Sequence, residues 1–244
     1  MERRRRNVAW HEAAHATVMR LVGYRPVTAT IQPERQGYLG MVTRDWDDKE
    51  LIATLRTLLD PPPVAARDLV AGLVIKAAVS FAGPVCDALR GVPAINWMAT
   101  GLSDLESVRY CAGLIGDFLE ESIGGVELSI RQAVTHSLRR SWPHVRRVAQ
   151  TLDRLGDVRR IDLERLLNGI DPHSHESEPI WRCAAGLARR VPASRIIVPP
   201  RPSAARVAYL QQMIGDLEAR LPEKAPVSAT RIVPPSVLQK GDPT

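Results

Sequence analysis

The amino-acid sequence predicts a mainly α (α+β) protein, in which a helical domain with a small β-hairpin is followed by a proline-rich tail. Long segments with helical spacing of apolar residues recur between residues 7 and 167. Two short β-branched segments lie between residues 27 and 43. Eleven of the 19 prolines fall after residue 170. We therefore divide the chain into a globular domain, residues 1–170, and a partly disordered tail, residues 171–244.

The elements at the amino terminus are predicted from a residue that ends a helix and from alternating β-branched residues that indicate strands. A first helix is predicted over residues 7–22, because Gly23 follows it as a typical residue after a helix end. The alternating β-branched residues 27–32 predict a strand. A turn at residues 33–37 and a second strand at residues 38–43 complete a predicted hairpin.

Helices fill most of the remaining domain. They are predicted over residues 47–59, 64–90, 103–119, 126–140, 143–155 and 162–167, with a loop at 91–102. Ser103 and Glu106 have the spacing of a capping box, which predicts Ser103 as the N-cap of its helix. The helix over 64–90 is mostly apolar, but Lys76 interrupts it and Pro84 predicts a bend near its end. We interpret it as a buried core helix and not as a membrane span.

The tail contains one segment with a helical pattern, near residues 203–221. Its apolar residues follow a 3-4-3-4 spacing that resembles a short coiled-coil seam: Val207, Leu210, Ile214, Leu217 and Leu221. Such a short helix is marginal alone. It either packs on the domain or on another copy of the chain, or it is a single surface helix between flexible linkers; the pattern leaves both open.

Composition excludes several functional classes. The 244 residues are 45% hydrophobic and 25% charged, as expected for a globular protein. The net charge of +6 is spread evenly along the chain, which argues against a nucleic-acid-binding face. Three widely separated cysteines indicate reduced thiols and a cytoplasmic protein. The arginines at positions 3–6 are not followed by the apolar stretch of a signal peptide, and no P-loop motif is present.

The strongest chemical signal is an H-E-x-x-H motif in the first predicted helix. His11 and His15 are four residues apart and share one helical face, so both imidazoles can bind one Zn²⁺ ion. Glu12, about 100° around the axis, is placed to take a proton from a water held by that metal. The alternative interpretation is a helix with two surface histidines and a solvated glutamate.

The surroundings of this motif resemble the FtsH-type zinc peptidases, the proteolytic half of the membrane AAA proteases. Residues 7–16 (N-V-A-W-H-E-A-A-H-A) are similar to the family signature V-A-[YH]-H-E-A-G-H-A. Three more segments follow in the family's order: residues 40–43 resemble its L-G-x-T strand, residues 82–87 its G-G-R-A-A-E, and residues 100–106 its T-G-A-S-N-D-L-E, one residue shorter. The resemblance covers residues 7–170 and implies a zincin-like helical peptidase domain.

The resemblance also implies a third zinc ligand, which falls on Asp104. A carboxylate would complete a His₂-carboxylate site with one position open. Ordinary helix-start chemistry is the other explanation for an aspartate there. Glu106 is the competing ligand, although its place in the capping box suits it better. We interpret His136, His144, His173 and His175 as solvated histidines and not as a second metal site.

Together these observations predict a zinc-dependent metalloendopeptidase that hydrolyses unfolded or small protein substrates. His11, His15 and Asp104 are the expected metal ligands and Glu12 the expected catalytic base. The substrate is expected to add as a strand to the edge of the hairpin. Because the chain carries no AAA domain, an ATPase partner acting in trans is one alternative, and a homo-oligomer is a further candidate assembly. A non-catalytic, zinc-containing binding or regulatory module is the rival from another class, which the intact Glu12 disfavours.

Overall fold

In the computed structural model, the structure describes residues 2–32, 40–44, 48–93, 102–199 and 202–219. These residues form nine helices and five short strands, which confirms the predicted mainly α architecture with a small antiparallel sheet. The helices are α1 (Glu2–Leu21), α2 (Asp48–Leu59), α3 (Ala66–Leu89), α4 (Leu102–Leu119), α5 (Ile123–Arg140), α6 (Trp142–Leu155), α7 (Arg160–Leu166), α8 (Glu178–Arg189) and α9 (Ala204–Glu218). The strands are β1 (Pro26–Thr30), β2 (Met41–Arg44), β3 (Val64–Ala65), β4 (Asp157–Arg159) and β5 (Ile196–Ile197). The predicted turn at 33–37 and most of the predicted loop at 91–102 lie outside the described residues.

The chain divides into two compact units. The first comprises residues 1–46 and 61–200, and the second comprises residues 47–60 and 201–244. The first unit extends beyond residue 170, where the sequence analysis divides the chain. The reason is α8, which the proline-rich composition concealed: its apolar face is buried against α3 and α5.

Helix α1 is central to the first unit and packs on both α3 and α6. Its interior carries no proline or glycine, and it ends at Leu21, two residues before Gly23, whose φ of +87° suits the left-handed conformation after a helix. The middle of α1 is rich in buried alanines, and so is the facing part of α3. Small side chains let two helices approach closely, so α3 brings its backbone against the histidines of α1.

The sheet of the first unit has the strand order β2-β1-β4, with both pairs antiparallel. The predicted hairpin is present as β1 and β2, with Ala29 opposite Val42. Strand β4 was not predicted, because three residues between two helices give no alternation to detect. Gly156, with a φ of +82°, ends α6 and turns the chain into β4. Among the described strands, β2 lies at an edge of this sheet, pairing with β1 alone.

Helix α3 differs from its prediction at its start. Val64 and Ala65 are not helical but form β3, which pairs with β5, so the helix begins at Ala66. The helix continues through Pro84 to Leu89. Helix α3 is long and apolar enough to cross a bilayer. However, 61% of its most apolar 18-residue stretch is buried inside the fold. This burial agrees with the interpretation of α3 as a core helix.

Two predicted helix starts are also corrected. Helix α4 begins at Leu102, so Ser103 lies inside its first turn and not at the N-cap. Helix α5 begins at Ile123, and the two glycines that the sequence placed between helices lie in its first turn. Ser122 makes this start possible, because its hydroxyl oxygen accepts a hydrogen bond from the Gly125 N–H at 3.2 Å.

The second unit pairs α2 with α9. Three residues of the apolar seam predicted in the tail, Leu210, Ile214 and Leu217, are buried against α2, whereas Val207 is half-buried. Their partners Ile52 and Leu55 come from the amphipathic helix predicted at 47–59. Of the two arrangements left open by the sequence, α9 thus packs within its own chain.

Candidate metal centre

Three ligand atoms converge on one point of the first unit. The Asp104 Oδ2 atom, from the first turn of α4, lies 3.1 Å from His11 Nε2 and 3.3 Å from His15 Nε2. The three atoms lie within 4.8 Å of one another, and both histidines are buried. Within the described residues, this is the one place where three histidine, cysteine or carboxylate ligand atoms come close enough to share an ion.

The other ring nitrogen of each histidine is already engaged. His11 Nδ1 lies 2.8 Å from Asp87 Oδ2, and His15 Nδ1 lies 2.8 Å from the backbone oxygen of Val79. A carbonyl oxygen only accepts, so the Nδ1 atom of His15 must carry the hydrogen. The lone pair of a neutral His15 is therefore on Nε2, the atom that faces Asp104. Such outer partners fix the orientation and tautomer of metal-binding histidines.

The donor set fits a zinc ion. Zinc binds imidazole nitrogen and carboxylate oxygen at about 2.0–2.2 Å with tetrahedral geometry, which separates any two ligand atoms by about 3.3 Å. The two distances from Asp104 Oδ2 match this separation. Two neutral nitrogens, one carboxylate and an open fourth position are also the ligand set of catalytic zinc sites. If an ion binds there, His11, His15 and Asp104 would hold it.

Gly83 of α3 allows His11 to occupy this position. A Cβ atom built on Gly83 would lie 2.2 Å from His11 Nε2 and 2.4 Å from Cε1. No side chain fits at that distance, so the imidazole uses the space that glycine leaves. The neighbouring Asp87, one turn further along α3, is buried, and its second carboxylate oxygen has no hydrogen-bond partner in the described structure.

Glu12 is buried beside the cluster, with 7% of its surface exposed. A Cβ atom built on Gly40, just before β2, would lie 2.6 Å from both Cγ and Oε1 of Glu12. The carboxylate therefore lies against the backbone that leads into the edge strand. This contact brings the predicted base and the predicted substrate-binding strand together.

The titratable side chains of the cluster change one another's pKa values. Burial lowers the pKa of His11, but hydrogen bonds with Asp104 and Asp87 outweigh it and raise the pKa to about 10. Burial raises the pKa of Asp104, but the hydrogen bonds from His11 and His15 hold it well below its usual range. Burial raises the pKa of Glu12, and the two histidines oppose the rise. Without a metal, His11 is thus held as a cation between two carboxylates.

The structure places all four sequence-predicted site residues together. His11, Glu12, His15 and Asp104 lie in one cluster, whereas Glu106, the competing ligand, is exposed and outside it. The four other histidines considered in the sequence are also outside it. Sequence reasoning missed the partners on α3: Asp87, Gly83 and the Val79 carbonyl. Two signals were present: Gly83 and Asp87 lie in the segment 82–87 that resembles a family motif, and Asp87 is an acidic residue at the end of a mostly apolar helix.

Comparison with known proteins adds no family assignment. No protein-family model matches the chain, and neither does any curated protein. The resemblance to the FtsH-type zinc peptidases therefore depends on the short motifs given above. The activity that these motifs imply is argued below from the geometry of the cluster.

If the cluster binds zinc, replacing Asp87 with asparagine is expected to weaken that binding about 10- to 100-fold. Asparagine keeps the size of the side chain but removes the negative charge that orients and polarises His11. Competition with a chromophoric chelator measures the zinc affinity. The matched control is Asp68→Asn, an exposed aspartate on the same helix. Equal zinc affinity of Asp87→Asn and the wild type would show that Asp87 does not support the site.

Proposed function

We propose that this protein is a zinc-dependent metalloendopeptidase that acts on extended segments of unfolded or small proteins. One observation carries the proposal: two histidine Nε2 atoms and one Asp104 oxygen converge, while both Nδ1 atoms are held by other groups. A structural site needs the same ligands, but it does not need a buried carboxylate beside them. Glu12 provides that carboxylate.

The roles of the residues follow from their positions. When bound, zinc supplies Lewis acidity, which polarises a carbonyl group and lowers the pKa of water. Glu12 accepts the proton of the attacking water and returns it to the leaving amine. Burial raises the pKa of Glu12, and a carboxylate with a raised pKa binds the proton of the attacking water more readily. Asp87 and the Val79 carbonyl keep the two imidazoles oriented.

The edge of β2 supports the substrate class. Among the described strands only β1 pairs with β2, so its outer edge offers backbone groups to an added strand. An added peptide must be extended, and folded proteins rarely present a free extended segment. Unfolded chains and short peptides do, which is why we propose them as substrates. The contact between Gly40 and Glu12 supports this substrate class, because a strand added beside β2 would lie near the proposed base.

The experiment measures metal content and cleavage of casein, an unfolded protein, on the same sample before chelation, after chelation, and after zinc is returned. We expect about one zinc per chain, loss of cleavage with the metal, and recovery with zinc but not with Mg²⁺. His15→Ala should neither retain zinc nor cleave. Zinc binding without any cleavage would contradict the proposed activity and favour a non-catalytic zinc module. A chain that binds no zinc would contradict both.

Replacing Gly40 with alanine is expected to lower kcat while leaving the zinc content unchanged. The added methyl group would displace the Glu12 carboxylate, which has little room because it is buried. A loss of about tenfold is expected if the base shifts by a fraction of an ångström. Peptide hydrolysis at saturating substrate measures kcat. The control is Gly186→Ala, whose added Cβ meets no atom within 4 Å; equal kcat values would refute the displacement.

A further inference from the structure

A cavity of about 390 Å³ lies between the first turns of α1 and the end of α3, one helical turn from His11 and Asp87. Three arginines line it: Arg3, Arg6 and Arg90. We propose that this cavity binds the phosphate group of a small phosphorylated molecule or of a lipid. The site is independent of the proposed peptidase activity, and nothing in its argument uses the metal.

Arg90 is the fixed member of the cluster. Its guanidinium lies over the Trp10 ring at 4.8 Å, and its Nη1 atom donates to Asn7 Oδ1 at 3.2 Å. Trp10 in turn stacks on Trp142, with 5.2 Å between ring centroids. A guanidinium has five N–H donors, so this single hydrogen bond leaves others for a ligand. Holding the planar group in place in advance lowers the entropy lost on binding.

The positive charge of the cavity is not balanced by its own residues. Among the described residues of the lining, Glu2 is the one acidic residue, against three arginines. Arg6 also contacts Asp153 at 3.4 Å, but neither Arg3 nor Arg90 forms an ion pair with a described residue. The sequence of residues 94–101, which follows the lining, contains no aspartate or glutamate. An anion would therefore find an excess of positive charge.

The backbone around the cavity favours an anion as well. Helix α1 begins at Glu2, so the first N–H groups of the helix, which have no partner within it, lie at this end. The carbonyl groups at the end of α3 carry partial negative charge and would repel an anion, but they already accept backbone hydrogen bonds. Cys86, Asp87 and Ala88 accept hydrogen bonds of 3.0–3.1 Å from the N–H groups of the three residues after the helix.

Two further observations point to phosphate among the anions. Burial lowers the pKa of Arg90, and the nearby Arg6 opposes its charge further, whereas Cys86 and Asp87 act in the other direction. A doubly charged ligand relieves the repulsion between Arg6 and Arg90 better than chloride or a carboxylate. Arginine also binds phosphate through two parallel N–H···O bonds, a geometry that a spherical ion cannot use.

The test is calorimetric titration of the full chain with inorganic phosphate and with glycerol 3-phosphate, at pH 7.5 and constant ionic strength in KCl. We expect saturable binding of one ligand per chain. Arg90→Gln should raise Kd about tenfold and Arg3→Gln about threefold. Arg189→Gln, an exposed arginine on α8, is the matched control and should leave Kd unchanged.

A second arm separates the two sources of phosphate. Phosphatidylcholine vesicles containing phosphatidic acid are compared with vesicles of equal charge containing phosphatidylserine. Tighter binding to the phosphatidic acid vesicles than to glycerol 3-phosphate supports a lipid source, and the reverse order supports a soluble ligand. Arg3 is exposed, so Arg3→Gln should fold even if Arg90→Gln does not. Absence of saturable binding to every probe, or a Kd that Arg3→Gln and a folded Arg90→Gln leave unchanged, would overturn the proposal.

Discussion

Replacing Glu12 with glutamine is expected to remove peptide hydrolysis while the zinc content stays at that of the wild type. Glutamine has nearly the same size and shape, so the packing against Gly40 is retained. It cannot accept a proton, however, and general base catalysis typically contributes a factor of about 10²–10⁴. Glu12 supplies none of the three converging ligand atoms, so the Glu12→Gln variant keeps the three residues proposed to bind the metal.

The measurement is kcat/KM on an unfolded or peptide substrate together with zinc content on the same sample. Glu106→Gln is the matched control, because Glu106 is an exposed glutamate two residues from Asp104. It should keep both zinc and activity. Loss of zinc in the Glu106→Gln variant would show that Glu106, and not only Asp104, is needed as a metal ligand. Full activity in Glu12→Gln would show that another group is the base.

Replacing Gly83 with alanine is expected to have the second largest effect, on both metal affinity and stability. The new methyl group would overlap the His11 ring, which is held on both sides by Asp87 and Asp104 at 2.8 and 3.1 Å. The ring must move, and one or both hydrogen bonds must lengthen. We expect zinc affinity to fall at least about tenfold and the free energy of unfolding to fall by about 1–3 kcal/mol.

Gly72 provides a control on the same helix. A Cβ atom there meets no atom within 4 Å, so Gly72→Ala should raise the free energy of unfolding by up to about 1 kcal/mol through helix propensity alone. Urea unfolding of the metal-free chain and chelator competition measure the two quantities. Opposite signs for the two variants are the expected result. A stabilised Gly83→Ala that binds zinc normally would contradict the close approach of α3 to His11.

The candidate site was more predictable than the fold around it, because its two histidines are close in sequence whereas the packing of the helices joins residues that are distant in sequence. His11 and His15 are four residues apart, so helical geometry alone places their rings together. Asp104 is distant in sequence and was found through the order of short motifs. Asp87 and Gly83 act through contacts between helices, and no local pattern encodes which face of α3 meets α1.

The errors in the fold have the same origin. Strand β4 and β3 are too short to show alternation, and each exists because a distant strand pairs with it. Helix α8 was hidden because prolines and histidines around it gave the tail a disordered composition. The glycines at the start of α5 predict a break between helices, but a capping serine overrides their low helix propensity.

The order of the chain has a consequence for its synthesis. Helix α1 leaves the ribosome before its packing partners α3 and α6, and α4 supplies Asp104 only after residue 102. The sheet closes later still: Thr30 Oγ1 donates to the carbonyl of Gly156, 126 residues away. Contacts so distant in sequence form slowly and late. A nascent chain therefore carries the H-E-x-x-H segment without an assembled centre, and the ligands meet only when most of the first unit has been made.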